Sequence, residues 1–142
     1  MKDVVIIDLD GTLCDTTHRD HLINKSGSWD EFHAELHNDA PYPETVKFID
    51  AMNAMNITVI ALTGRMEKFR QPTYNWLVKN NIMIDELWMR GDNDYRRAFE
   101  MKVEKIRDIK ERILVVLEDN DRVVEALRNE GLRVWQVQNG GY

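Results

Sequence analysis

The sequence predicts an α/β fold: an open, doubly wound, mostly parallel sheet held between two layers of helix. Three observations carry this reading. Four short apolar runs rich in β-branched residues, at 3–9 (DVVIIDL), 57–63 (ITVIALT), 112–118 (RILVVLE) and 132–137 (LRVWQV), read as strands buried on both faces. Helical patterns lie between them, so consecutive strands must be joined by crossovers. Several of the runs end in acidic or hydroxyl residues, at the edge where such sheets bind ligands.

The first strand ends between two carboxylates, Asp8 and Asp10, where leaving the solvent is costly for a charge. Gly11 follows, suited to a tight turn that needs positive φ. Residues 14–42 break the alternation: they are polar and hold all four histidines, His18, His21, His33 and His37. This stretch reads as a small insert with a short helix over SWDEFHAEL (28–36), not as a large cap. A helix then starts at Pro43, a residue favoured at the first helical position. The second strand, a helix from about Met66 and a short, weaker strand at 86–90 (ELWMR) come next. A helix from about Tyr95 leads to the third strand. One more, DRVVEALRNEG, closes at Gly131 before the last strand.

At 142 residues the chain is long enough for one hydrophobic core, and no linker, repeat or composition shift divides it, so one domain over 1–142 is expected. No apolar run approaches bilayer length, and the N-terminus lacks the pattern of a secretory signal. No membrane association and a cytoplasmic location are therefore expected. The net charge of −6 argues against broad electrostatic adhesion to nucleic acid but leaves room for a local basic patch. The single cysteine, Cys14, can form no internal disulfide. It reads as a packing residue, because carboxylates nearby oppose a thiolate.

Three strands deliver Asp8, Asp10, Thr63, Glu118 and Asp119 to one edge of the sheet. Four carboxylates together repel one another unless a cation is present, and hard oxygen donors suit Mg²⁺. The plainer alternative is that each acid caps a following helix. That serves for Asp119 alone, but not for three strands ending alike. Trp29, Phe32 and Trp88 could stack on a base, yet read as core or cover. His33 and His37 stand one helical turn apart, a spacing usable for zinc, but with no third ligand in sight they read as a solvated face. No Walker-type phosphate loop occurs, so kinase activity in this chain is not supported.

DLDGTL (8–13), LTGR (62–65), a lysine early in a helix (Lys102) and LEDNDRVVE (117–125) resemble, in order, the four motifs of the haloacid dehalogenase superfamily of phosphotransferases. DLDGTLCDTTHR, TGR, GDNDYRRAFEMK and the C-terminal VWQVQNGGY are similar to the 3′-phosphatase domain of bacteriophage polynucleotide kinase. The resemblance implies a haloacid dehalogenase-like Rossmannoid fold and a Mg²⁺-dependent phosphomonoesterase. Asp8 is then the nucleophile and Asp10 the general acid and base. Thr63 binds a phosphoryl oxygen and Lys102 offsets the gathered charge. Asp8, Asp10 and Asp119 hold Mg²⁺, Asp10 through its main-chain carbonyl, and Glu118 reaches it through water.

Arg19 stands nine residues after Asp10, as an arginine does in that family, and is a candidate for phosphate or strand contact. Gly64 and Arg65 in the TGR turn are further substrate candidates, with Asp94 and Arg96 on the leaving-group side. Two positions depart from the family: Glu118 stands for an aspartate, and Ala98 replaces an acid four residues before Lys102. The implied substrate is a phosphorylated nucleotide or the 3′ end of a nucleic acid. A small-metabolite or 5′-nucleotide phosphatase and a non-catalytic binding module are the alternatives, the last opposed by the intact Asp8 and Asp10. Homo-oligomerisation and a kinase partner stay open.

Overall fold

The computed structural model describes residues 1–23 and 29–140. Ser28, at the start of the predicted short helix, and Gly141 and Tyr142 of the C-terminal motif lie outside the described residues. The strands are β1 (Val4–Ile7), β2 (Cys14–Asp15), β3 (Ala40–Pro41), β4 (Thr58–Met66), β5 (Glu86–Arg90), β6 (Ile113–Asn120) and β7 (Val134–Gly140). The α-helices are α1 (Asp30–Ala34), α2 (Pro43–Ala54), α3 (Arg70–Lys79), α4 (Ala98–Ile106) and α5 (Asp121–Asn129). Five strands form one parallel sheet in the order β5-β4-β1-β6-β7.

The unbroken VVII run of β1 is explained by helices on both faces of the sheet. Val5 and Ile7 pack with Val59 and Ala61 under Ile49 of α2 and Trp76 and Leu77 of α3. Val4 and Ile6 pack with Ile60 and Leu62 under Met101 of α4 and Val123 and Leu127 of α5. Burial of each such aliphatic side chain contributes about 1.5–3 kcal/mol, which offsets the cost of holding acids at the strand end. The chain runs from β1 outward to β4 and β5, then α4 carries it back over the sheet to β6, on the other side of β1. The strand order therefore reverses between β1 and β6, where a crevice opens beyond the carboxyl ends.

The structure departs from expectation in a few places. β4 continues through Thr63 to Met66, and a 3₁₀ turn (Glu67–Phe69) precedes α3. α4 starts only at Ala98, because residues 94–96 are tied in a loop: Asp94 Oδ1 accepts from the Arg96 backbone (3.1 Å) and Arg90 Nη1 donates to the Asp94 carbonyl (3.1 Å). β7 extends to Gly140, which pairs with Asn120. β2 and β3, too short to show in propensity, pair antiparallel and close the base of the insert. α5 is capped by Asn120, whose side chain accepts from Arg122 N (3.0 Å) and Val123 N (3.2 Å). Asp119 is thus not the cap. Among the described residues, no helix is long and apolar enough to cross a membrane.

Candidate active site

Asp8 stands one residue past β1, its backbone N–H donating to Leu117 O of β6 (3.0 Å). Its Oδ1 accepts from Lys102 Nζ at 2.8 Å and its Oδ2 from Thr12 Oγ1 at 3.1 Å. Lys102 also donates to Glu118 Oε2 at 2.8 Å, so one buried ammonium bridges two carboxylates. Burial opposes the charge on Lys102, but Asp8 and Glu118 outweigh it and hold its pKa above the ordinary value. Although Lys105, Arg107 and Lys110 stand close by in sequence, Lys102 itself is only 3% exposed. Glu118 is its partner, 2% exposed.

Asp10 is gripped by two guanidiniums. Arg65 reaches it with Nε (3.2 Å to Oδ2) and Nη2 (2.6 Å to Oδ1), and Arg19 Nη2 with 2.7 Å to Oδ1. Burial works against the charged form, but Arg65 and then Arg19 overcome it and hold the Asp10 carboxyl well below the usual range. Both arginines are buried, and neither lines the cleft. Arg19 lies on Asp39 with Nε (2.8 Å to Oδ1) and Nη2 (2.7 Å to Oδ2), and Nη1 donates to Phe32 O (2.9 Å). Arg65 Nη1 donates to Thr73 Oγ1 (3.0 Å). In this structure the donors of Arg19 and Arg65 that were expected to face substrate rest on protein oxygens instead.

The loop between β1 and β2 is pinned by Gly11 N donating to Cys14 O (2.9 Å) and Thr45 Oγ1 of α2 donating to Thr12 O (2.7 Å). Gly11 has φ +85°, and a Cβ there would overlap the Asp119 carboxylate. A Cβ on Gly140 would likewise lie 2.8 Å from the Asp119 carbonyl oxygen. Two glycines thus cradle this acid. Cys14 is buried, and burial pushes its thiol pKa up, so it packs as a neutral thiol.

Asp8, Glu118 and Asp119 each offer an oxygen within 4.8 Å of the others. Burial and then the Asp8 charge raise the pKa of both neighbours, Glu118 to about 7 and Asp119 to about 10. Such a crowded set of hard oxygens fits a divalent cation. Asp10, Cys14 and Asp39 form a second cluster, but the cations there are the guanidiniums of Arg19 and Arg65.

A pH effect follows. Glu118 and Asp119 keep protons in the fold that they release on unfolding, so the folded state binds more protons and stability falls as pH rises. His33, whose pKa burial lowers to about 4, has the opposite effect below its ordinary value. From about pH 6.5 upward the unfolded imidazole is mainly neutral as well, and the effect fades. The melting temperature of the metal-free protein is therefore expected to fall between about pH 6.5 and 8.5, and saturating Mg²⁺ to flatten the fall. A metal-free melting temperature that stays level or rises over that interval would contradict the cluster's electrostatics.

A cleft of about 550 Å³ opens over these groups, with Asp8, Asp10, Thr63, Gly64 and Lys102 in its lining. Thr63 Oγ1 accepts from Arg65 N (3.1 Å), and Gly64 O accepts from Arg90 Nε (2.8 Å). Asp94 and Arg96 also line it, joined by Arg96 Nε (3.0 Å to Oδ1) and Nη2 (2.8 Å to Oδ2). The hydrogen bonds from Arg96 hold the Asp94 carboxyl low, at about 2. His33 is not on a solvated face: it is buried between Trp29 (6.1 Å, stacked), Phe32 and Phe69, in the aromatic wall of the cleft. His37 is exposed as expected. Phe32 is core, but Trp29 is half-exposed at the cleft, and Trp88 packs against the core. Asp39, Thr12 and Gly140 escaped sequence reasoning; for Gly140, the C-terminal motif was the available signal.

Solved structures share this architecture. The chain superposes over 98% of its length on a hydrolase from Streptococcus pneumoniae TIGR4, with TM-score 0.65, 15% identity and 95% of that chain covered. It also superposes over its whole length on a class C acid phosphatase from Bacillus anthracis with tungstate bound, with TM-score 0.69, 14% identity and 69% of that chain covered. At these identities the likeness is one of fold. The sheet, with its acid pair at the switch point, defines a phosphomonoester hydrolase of the haloacid dehalogenase class.

Within that class the chain belongs to the family of polynucleotide kinase (PNKP) phosphatase domains, which matches residues 2–142. It is 31% identical to a chain of the Pnkp1/Rnl/Hen1 RNA repair complex, with TM-score 0.85 over 98% of this chain and 43% of that one. A second structure of the Pnkp1/Rnl/Hen1 complex gives 29% identity and TM-score 0.84, covering 100% of this chain and 48% of that one. The chain thus spans less than half the length of either relative. No curated protein sequence matches it significantly.

Proposed function

We propose that the chain is a Mg²⁺-dependent 3′-phosphatase that works through an aspartyl-phosphate on Asp8 and acts on nucleic-acid ends or nucleotides. The observation that carries this reading is the pair at the cleft floor: Asp8 held by Lys102, and Asp10 held by two guanidiniums. An Asp8 carboxylate oxygen bonds to phosphorus in line as the bond to the leaving oxygen breaks, and Asp10 gives that oxygen a proton. Asp10 then takes a proton from water, whose oxygen bonds to phosphorus and frees Asp8 and inorganic phosphate. Thr63 Oγ and Lys102 Nζ supply hydrogen bonds and positive charge to the phosphoryl oxygens. The Asp8 and Asp119 side chains and the Asp10 main-chain carbonyl would hold Mg²⁺, which neutralises charge and orients the phosphate when bound.

The two guanidiniums keep Asp10 ionised in the free site, so the negative phosphate arriving beside it must raise its proton affinity before it can act as an acid. The 3′ assignment rests on the family and on relatives in an RNA repair complex; an assembly with other repair proteins is part of the same reading. Residues 1–142 form one phosphatase unit in this view, supported by apolar cores on both faces of a single sheet. Phosphate release from a 3′-phosphorylated oligonucleotide, its 5′-phosphorylated counterpart and a sugar phosphate tests the assignment. The expected order puts the 3′ substrate first in kcat/KM. If the 5′ isomer equals or exceeds it, the 3′-end assignment is wrong and only a general phosphomonoesterase remains.

A further inference from the structure

The floor of the cleft is acidic, yet its rim is not. Arg90, Arg96, Arg97 and Arg122 all line it, in a chain whose net charge is −6. Two of these have structural duties. Arg90 binds main-chain carbonyls of Gly64 and Asp94, and Arg96 pairs with Asp94 and Glu104. Arg97 and Arg122 are different: both are exposed, and neither side chain has a hydrogen-bond or ion-pair partner among the described residues.

Arg97 is the cap position of α4 and Arg122 lies in the first turn of α5. These helices pack on the same face of the sheet, so both arginines stand at neighbouring helix ends over one cleft. Arg97 precedes Lys102 by five positions, about 7.5 Å along a helix axis, so a group it binds is displaced from the phosphate over Asp8. Tyr95 beside it is 85% exposed and lines the same cleft, its ring open to a flat partner. Trp29 faces the cleft from the insert, 42% exposed. Free guanidiniums offset from the reacting centre, with exposed aromatic rings beside them, match a strand that carries a second phosphate and a base.

We propose that Arg97 and Arg122 form a second phosphate subsite, which holds the internucleotide phosphate next to the scissile one while Tyr95 supports a base. The preferred substrate is then a strand end of at least two nucleotides. This rests on the 3′-end reading above and adds to it a discrimination between a polymer end and a free nucleotide. The local basic rim also reconciles nucleic-acid binding with an acidic chain, because only the last residues of the strand need be engaged.

The test compares kcat/KM for a nucleoside 3′-monophosphate, a 3′-phosphorylated dinucleotide and a longer 3′-phosphorylated oligonucleotide, with p-nitrophenyl phosphate as a generic ester. The dinucleotide should exceed the mononucleotide by about tenfold or more, with little further gain on lengthening. In the doubly substituted Arg97→Ala, Arg122→Ala protein that ratio should fall to within about threefold of unity, mainly through KM, and the salt dependence of the oligonucleotide KM should weaken. Tyr95→Ala should lower the ratio as well. Circular dichroism melting of these surface variants should match the parent. Equal kcat/KM for mono- and dinucleotide in the parent, or an undiminished ratio in the double variant, overturns the subsite but leaves the 3′-end reading standing. Turnover of p-nitrophenyl phosphate without turnover of any 3′-phosphate overturns both.

Discussion

Replacing Asp8 with Asn is expected to lower kcat by at least about four orders of magnitude while leaving the protein folded. The amide has nearly the same shape and keeps an oxygen that can accept from Lys102, now 2.8 Å from Oδ1. It cannot bond covalently to phosphorus as a carboxylate does, and it brings no charge to a metal. Stability should not suffer. Asp8, Glu118 and Asp119 crowd one buried place, and the charge of Asp8 is the second cause, after burial, that raises the pKa of the other two. Removing that charge relieves the repulsion, so the metal-free Asp8→Asn protein should melt no lower than the parent and show a shallower fall with pH. Mg²⁺ should then raise its melting temperature less, because one anionic ligand is gone. Rates of phosphate release and melting curves, each with and without Mg²⁺, decide the matter. Near-parental turnover in the purified variant would rule out covalent catalysis through Asp8.

The four apolar runs were legible in the sequence because a strand covered by helix on both faces needs aliphatic residues at every position, and Val4–Ile7 meets that demand fully. The acids were legible for the opposite reason: a charge at the end of such a run contradicts the run, and the contradiction points to chemistry. Lys102 was harder. Its neighbours Lys105, Arg107 and Lys110 are ordinary helix-surface residues, and only the family resemblance singled it out. Its burial depends on α4 crossing over the sheet to put one helical face against Asp8 and Glu118.

The insert was the least legible part, because its polar letters do not tell whether a residue is solvated or sealed. His33 looked like half of a solvated helix face and is instead packed among Trp29, Phe32 and Phe69. Asp39 carries no distinguishing signal in the sequence, yet its carboxylate is buried and binds Arg19, twenty positions earlier. A spacing can mark a residue such as Arg19 as important, but it carries no information on which way the side chain turns. That is fixed by long-range contacts: Trp76 of α3 donates its Nε1 to the Asp39 carbonyl (2.9 Å) and holds the end of the insert against the domain.

Arg19 therefore allows a sharp separation of two roles. As a buried positioning residue, its replacement by Ala leaves the Asp39 carboxylate without its two-pronged partner and the Phe32 carbonyl without its donor. Arg65 Nη2, 3.6 Å from Asp39 Oδ2, is too far for a direct replacement bond. His18 Nε2 still meets Asp39 Oδ1 at 2.7 Å, but it cannot replace the two-pronged guanidinium. Breaking a buried ion pair of this kind costs about 3–5 kcal/mol, which for a domain of this size lowers the melting temperature by about 10 °C or more. Catalysis should suffer as well, through kcat, because Asp10 loses one of the two guanidiniums that fix it. With less positive charge beside it, Asp10 takes up a proton more readily, so the limb of the pH–rate profile that reports on Asp10 should move to higher pH. Arg19→Lys should recover part of the stability but little of the rate, since an ammonium cannot grip Asp39 with two donors while reaching Asp10. Replacing Arg19 and Asp39 together by Ala should cost less than the sum of the single changes, as expected of groups in one network. A substrate-contacting arginine would behave otherwise: Arg19→Ala would leave the melting temperature unchanged and raise KM for strand substrates alone. That result would return Arg19 to the cleft and leave Arg65 as the sole anchor of Asp10.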